Sequence, residues 1–322
     1  MPLTISCAFN TSLESHEHTV IAEQLGYKRA FFFDSPAMFA DVWMQLTRAA
    51  ERTTKIGLGP GVMVPSLRHP MTTAASIATL ASIAGEDRVI VAVGSGFTGR
   101  MALGQRPNSW KWVGEYLTAL QALLRGEETQ WEGATIKMLH SEGWAPARPI
   151  DVPFLVAVSG PKGIEAARTY GQGVIWSGNA VQGFDWNVAI ALGTVLEDGE
   201  DLNSERVLRA AGPVACLITH LAVEFGQPAP MPNGEAWVKA YAEVPKEVRH
   251  MAIHNGHAAF VSDMDRPFIT PEILAKFGNA MDRSAWKDRL AEFEAGGVTE
   301  IIYQPIGDVA RELDAFMNVA AS

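Results

Sequence analysis

Residues 55–96, KIGLGPGVMVPSLRHPMTTAASIATLASIAGEDRVIVAVGSG, read as strand, glycine-rich turn, helix, strand and second glycine-rich turn. The apolar run 55–58 stops at Gly59-Pro60-Gly61. Residues 70–84 are rich in Ala, Ile and Leu without an internal breaker, and Gly85 stands where a helix stop belongs. Residues 88–93 (RVIVAV) are almost wholly β-branched or apolar, the composition of a parallel strand buried on both faces. Gly94-Ser95-Gly96 then lets backbone N–H groups come close to a ligand. Two strands of this kind, each ending in a permissive loop, form a βαβ unit whose binding edge lies at the strands' C-terminal ends.

The same alternation extends in both directions. Strands are predicted at 3–9, 28–33, 153–158 and 173–176, a seventh within 208–221 and an eighth at 296–303. Helices are predicted at 15–25, 41–52, 110–125, 162–170 and 308–319, and a short hairpin around Glu132-Gly133. Eight strands alternating with helices over 322 residues is the pattern of an α/β (β/α)8 TIM barrel. A doubly wound open sheet is the rival, but the first strand is not followed by GxGxxG. The chain reads as a single domain, 1–322. Residues 225–269, poor in strand signals, are expected to form an insertion before the eighth strand that lies over the mouth as a lid.

The hydrophobic share of 48% against 19% charged residues suits a large core and argues against disorder. A net charge of −10 argues against nucleic acid and anionic membrane as partners. Cys7 and Cys216 both sit in apolar runs and read as core thiols, not a disulfide framework. The N-terminus does not read as a leader, and no apolar run is long enough to suggest a membrane span, so the expectation is a cytoplasmic protein.

A phosphorylated ligand would then be held locally, by N–H groups and a few basic residues. Ser159-Gly160-Pro161-Lys162-Gly163 leads from the fifth strand into a helix whose first N–H groups suit a phosphate. Arg68 could pair with an anionic tail, and the His69 beside it reads more simply as a structural cap. His254 and His257 have a spacing that could suggest a metal, but no HExxH-like carboxylate pattern supports one, so no metal is expected. They read instead as ordinary loop residues or as the substrate side of a lid.

Gly-Val-Met-Val-Pro-Ser-Leu-Arg-His-Pro (61–70), followed by Arg-Val-Ile-Val-Ala-Val-Gly-Ser-Gly (88–96), resembles the bacterial-luciferase-like superfamily. The closer similarity is to the branch that uses the deazaflavin coenzyme F420, which includes methylenetetrahydromethanopterin reductases and glucose-6-phosphate dehydrogenases. The resemblance implies a flavin-like ring over Gly61-Val62, where the superfamily carries a non-prolyl cis peptide. It implies contacts to the cofactor from Ser95 and Gly96, and a second phosphate-side loop at Ser177-Gly178. Asp34 matches an aspartate that the sugar-phosphate dehydrogenases place beside the cofactor. The histidine they carry next is Ser35 here, and the glutamate they carry after Gly-Ser/Thr-Gly is Phe97. A general base would therefore be Asp34, with Ser35 beside it, or there is none. The substrate would be a small apolar or aromatic molecule, with Phe9, Phe97, Trp176, His254 and His257 lining its cleft.

Three functions follow from the resemblance. The first is hydride transfer between F420 and an organic substrate. The second is an FMN-dependent monooxygenase, fed by a separate flavin reductase. The third is a non-catalytic flavin-binding barrel. A homodimer is also implied, since family members commonly pair through helices on one flank.

Overall fold

The computed structural model describes residues 3–176, 180–227 and 230–322. Among them, an eight-stranded parallel sheet runs β1 (Thr4–Phe9), β2 (Arg29–Phe32), β3 (Gly57–Pro60), β4 (Val91–Val93), β5 (Phe154–Ala157), β6 (Gly173–Ile175), β7 (Asn187–Leu192) and β8 (Glu300–Gln304). Its spatial order is β3-β2-β1-β8-β7-β6-β5-β4. Parallel bridges between Leu58 and Val89 and between Met63 and Val93 join its two ends into a barrel. The α/β TIM barrel is therefore the fold.

The seventh strand is not where the sequence reading placed it. Residues 208–221 lie inside one helix, Glu205–Phe225, capped by Ser204, whose Oγ accepts from the Val207 N–H, and ended by Gly226 at φ 63°. That helix is buried continuously from Ala210 to Cys216, and over so short an apolar run buried helix and buried strand look alike. By composition it is long and apolar enough to cross a membrane, yet 67% of its apolar window is buried inside the protein. The true seventh strand, NVAIAL, follows the sixth without an intervening helix among the described residues, which breaks the alternation used to find it.

After β7, the short strand Thr194–Val195 pairs in parallel with Ala280–Met281. The chain between them is a helical excursion wider than the expected 225–269. It contains Glu205–Phe225, Gly234–Ala242, Arg249–His254 and Pro271–Lys276. These helices share a core of their own around Trp237, Tyr241, Cys216 and Ile273. Helix Arg283–Ala295 then returns to the barrel wall before β8.

Strand side chains alternate between two layers, as the two-residue period demands. Ala8, Phe31, Ala92, Leu155, Ile175 and Ile302 fill the barrel interior. Their neighbours Cys7, Phe9, Phe32, Val91, Val156 and Val174 face the helices.

Candidate active site

The C-terminal ends of the strands frame a pocket of about 280 Å3, walled by Ala8, Val62, Ala157, Ile175 and Ile302. Gly61 and Val62 are at its floor, and the peptide between them is cis. A side chain at Gly61 would put Cβ 2.5 Å from the Cβ of Phe31, so the backbone lies directly on the barrel's interior layer. Gly96, at φ 82°, and Phe97 form another wall. The Ser95 carbonyl is taken by the Asn108 N–H at 2.8 Å.

Asp34 and Ser35 are buried and line the same pocket. Both Asp34 carboxylate oxygens accept from Arg68 Nη1 at 2.8 Å, and Oδ2 also accepts from the Val64 N–H at 3.0 Å. Burial pushes the Asp34 carboxyl up, while the Arg68 charge and the Val64 N–H pull it back. Arg68 also reaches Asp41 Oδ2 at 3.0 Å. This is a correction to its expected role. Arg68 is committed to two carboxylates and clasps the loops after β2 and β3, so it is not a free cation for a ligand tail.

Strand parity also overturns two of the expected substrate contacts. Phe9 is in the layer between barrel and helices, packed edge-on against Phe32 at 5.7 Å between ring centroids. Trp176 follows the inward Ile175 and packs outward against that same layer. Phe97 does face the pocket, with its ring tilted against Phe225 at 5.5 Å.

On the β5 side, Ser159 precedes helix Gly160–Tyr170 but gives it no side-chain cap. Gly160 has φ 69°, with nothing within 4 Å of where a Cβ would stand. Pro161 and Lys162 are exposed, while Gly163 is pressed against the Trp110 ring. Ser177 and Gly178 lie outside the described residues.

The excursion after β7 contributes His257, which lines the same pocket as Asp34. Its Nε2 is 3.5 Å from the Thr98 hydroxyl, and its Nδ1 is buried without a partner among the described residues. His254 is also buried, with both ring nitrogens unpartnered among the described residues. It lines a larger outer chamber of about 890 Å3, which shares Phe39 and His257 with the inner pocket. Burial, with His220 and His250 nearby, pushes His254 down to about 4. Burial, with His254 and His220, pushes His257 down to about 3.

The unfolded chain therefore binds protons that the fold refuses. Stability is greatest above the ordinary value of 6.5 and falls as pH drops towards 4, by roughly 1.4 kcal/mol per unit for each ring. Urea midpoints at pH 7 and pH 5 should differ markedly in the parent. They should differ much less in the His254→Gln/His257→Gln variant.

Behind these rings, Cys216, His220 and Asp265 bring ligand-type atoms within 4.8 Å of one another. The Asp265 carboxylate is already engaged by Trp237 Nε1, the Tyr241 hydroxyl and the Ser262 hydroxyl at 2.6–2.8 Å, and by His220 at 3.2 Å. Although burial alone would raise it, these bonds hold Asp265 below the usual carboxylate range. The arrangement is a hydrogen-bond network that joins the helices of the excursion through the Asp265 carboxylate, with His220 Nδ1 left without a partner among the described residues.

Two polar residues escaped the sequence reading. Asn10 Nδ2 donates to the Ala258 carbonyl at 2.6 Å, and Gln304 Nε2 donates to the same carbonyl at 3.3 Å and to Asn10 Oδ1 at 3.0 Å. Both follow the inward parity of their strands. That parity, applied to polar residues at strand ends, is the signal that could have found them.

A parallel barrel with a pocket at the strands' C-terminal ends defines a ligand site of the TIM-barrel kind. Residues 13–192, more than half of the chain, match the luciferase-like monooxygenase family, and the chain belongs to it. It is 31% identical over 178 residues to an F420-dependent glucose-6-phosphate dehydrogenase of Intrasporangium calvum, covering 49% of this chain and 52% of that one. It is 31% identical over 189 residues to a 5,10-methylenetetrahydromethanopterin reductase of Methanopyrus kandleri, covering 53% and 52%. The chain thus spans about half the length of the curated relatives it matches. Among solved structures, an F420-dependent secondary alcohol dehydrogenase aligns over 100% of both chains with a TM-score of 0.69 at 16% identity. The F420-dependent tetrahydromethanopterin reductase of Methanopyrus kandleri aligns over 98% of both with a TM-score of 0.68 at 18% identity. These structural likenesses concern the fold.

Proposed function

We propose that this protein is an oxidoreductase that transfers a hydride between coenzyme F420 and a small organic substrate. The observation that carries the reading is the pocket itself. A ring-sized, largely apolar slot lies on the cis Gly61–Val62 peptide, and a helix start without a side-chain cap, with open space at Gly160, follows β5. The donor set fits a deazaflavin: apolar walls for the ring and the backbone N–H groups of Gly160, Lys162 and Gly163 for a phosphate. The relatives named for F420 support this choice over FMN.

When bound, the deazaflavin supplies or accepts the hydride. The chain's part is placement and exclusion of water. Val62, Ala157 and Ile302 would support the ring face, and Phe97 with Phe225 would close the apolar side. Asp34 acts through Arg68 and Val64 to hold the loops in place. With its oxygens so engaged, it is a poor general base.

The test is a fluorescence-quenching titration with F420 and with FMN in parallel. Micromolar binding of F420 with none of FMN supports hydride transfer. The reverse, joined to oxygen uptake with reduced FMN, would move the assignment to the monooxygenase. Binding of both without turnover on any acceptor would favour a flavin-binding barrel, and binding of neither would remove the cofactor assignment.

A further inference from the structure

We propose that His257 is the residue that addresses the substrate, and that the substrate presents an uncharged carbonyl-type oxygen to it. This rests on the hydride-transfer reading for its chemistry, but not for its geometry.

The argument starts from what the pocket lacks. At the positions where the resemblance implies a histidine and a glutamate, the chain has Ser35 and Phe97. Among the described residues lining the inner pocket, Asp34 and His257 are the acid–base side chains, and Asp34 is spent on Arg68 and Val64. The described wall of the outer chamber contains no Asp, Glu, Lys or Arg. An anionic substrate would find no Lys or Arg among the described residues of either wall, and burying it there would be costly. An uncharged one finds Phe39, Met251 and Phe260 as apolar walls, and imidazoles as its polar partners.

His257 is held for this role from two sides. Its ring stacks on that of His220 at 5.9 Å between centroids, and His220 is bonded in turn to Asp265. Its neighbour Ala258 sits at φ 56°, a strained region for a residue with a Cβ. The Ala258 carbonyl is clamped there by Asn10 from the end of β1 and by Gln304 from β8. The excursion is thereby pinned to the barrel mouth at the residue next to the imidazole. The Thr98 hydroxyl is 3.5 Å from Nε2, a long contact whose donor and acceptor depend on the tautomer, and Nδ1 is buried with no partner among the described residues. The Nε2 edge beside Thr98, which is itself in the inner pocket wall, is the one a substrate oxygen at the junction of the two chambers meets, with the ring proton on Nε2. Asn10 and Gln304 are then positioning residues.

The experiment measures binding of three probes of one size to the purified full chain by equilibrium dialysis. They are 2-acetylnaphthalene, which has the carbonyl, 2-ethylnaphthalene, which lacks it, and 2-naphthoate, which carries a charge. The ketone should bind at least fivefold more tightly than the ethyl compound and at least tenfold more tightly than the naphthoate. His257→Phe should abolish the preference for the ketone and leave the ethyl compound unchanged. His257→Gln, which keeps a donor, should restore part of it. Asn10→Ala should reduce the preference in the same direction without altering the ring, and it stands in should His257→Phe fail to fold. A ketone preference that survives both His257→Phe and Asn10→Ala would overturn the assignment. So would a parent protein without the preference, or naphthoate binding equal to that of the ketone. Because the probes are measured without cofactor, a failed F420 titration beside an intact ketone preference would sink the hydride-transfer reading and leave this one standing.

Discussion

Asp34→Ala should lower the unfolding free energy by about 3 kcal/mol, read from the urea midpoint at unchanged slope. The Asp34 side chain is 1% exposed and accepts three hydrogen bonds, two from Arg68 and one from the Val64 N–H. Removing it leaves a buried backbone donor without a partner, at a cost of about 1–3 kcal/mol. It also leaves Arg68, whose side chain is 14% exposed, with Asp41 alone. Breaking a buried pair costs about 3–5 kcal/mol, and the surviving Asp41 contact places this case at the lower end. Asp34→Asn, which keeps an acceptor in place, should lose clearly less.

Arg68→Met tests the other half of the clasp, and its signature is a pH dependence. Burial already raises the Asp34 carboxyl, and the guanidinium is the main opposing influence. Without it the folded-state value climbs further above the unfolded one. A carboxyl raised in the fold contributes stability that is present at low pH and is lost as pH rises through the folded value. The stability gap between parent and variant should therefore widen from pH 5 to pH 8. A gap that stays constant would mean that Asp34 is not the group left exposed to the loss.

The stretch 55–96 was legible because its physics is local. Helix Pro70–Ala84 has Pro at its first position and Gly85 at its stop, and the structure sets its bounds at those residues. Trp110–Arg125 was equally plain, with a Ser109 cap and Gly126 at φ 81°. What could not be read is what depends on the partner layer. Phe9 and Trp176 are aromatic residues at strand ends, and composition alone cannot say which face of a barrel strand they occupy. One residue of parity separates the pocket from the core. Arg68 looked free because its carboxylate partners lie 34 and 27 positions away in sequence. Helix Glu205–Phe225 was misread for a related reason: its middle, Ala210–Cys216, is buried all round by the excursion and reads like a buried strand.

Gly59→Ala should prevent the barrel from closing, giving insoluble protein or a stability loss well beyond about 3 kcal/mol. Gly59 stands in β3 opposite the segment entering β4, where the two ends of the sheet meet. A Cβ at this position would lie 1.6 Å from the Ile90 carbonyl oxygen and 2.8 Å from its carbon. These are backbone atoms, and Ile90 is held by its own N–H, which donates to the Leu58 carbonyl at 3.0 Å. A rotamer change cannot relieve such a contact, so one strand must move. The movement would break the Leu58–Ile90 bond and then the Met63–Ala92 bond of 2.7 Å, which together form the seam. Gly26→Ala provides the comparison. Gly26 also lacks a side chain, and at φ 88° it would strain an alanine, but nothing stands within 4 Å of its Cβ position. Its loss should be confined to backbone strain of about 1–2 kcal/mol. If the two variants melt together, strand closure at Gly59 is softer than its geometry implies. If Gly59→Ala alone fails to fold, the seam between β3 and β4 is the step on which the Gly61–Val62 floor of the pocket depends.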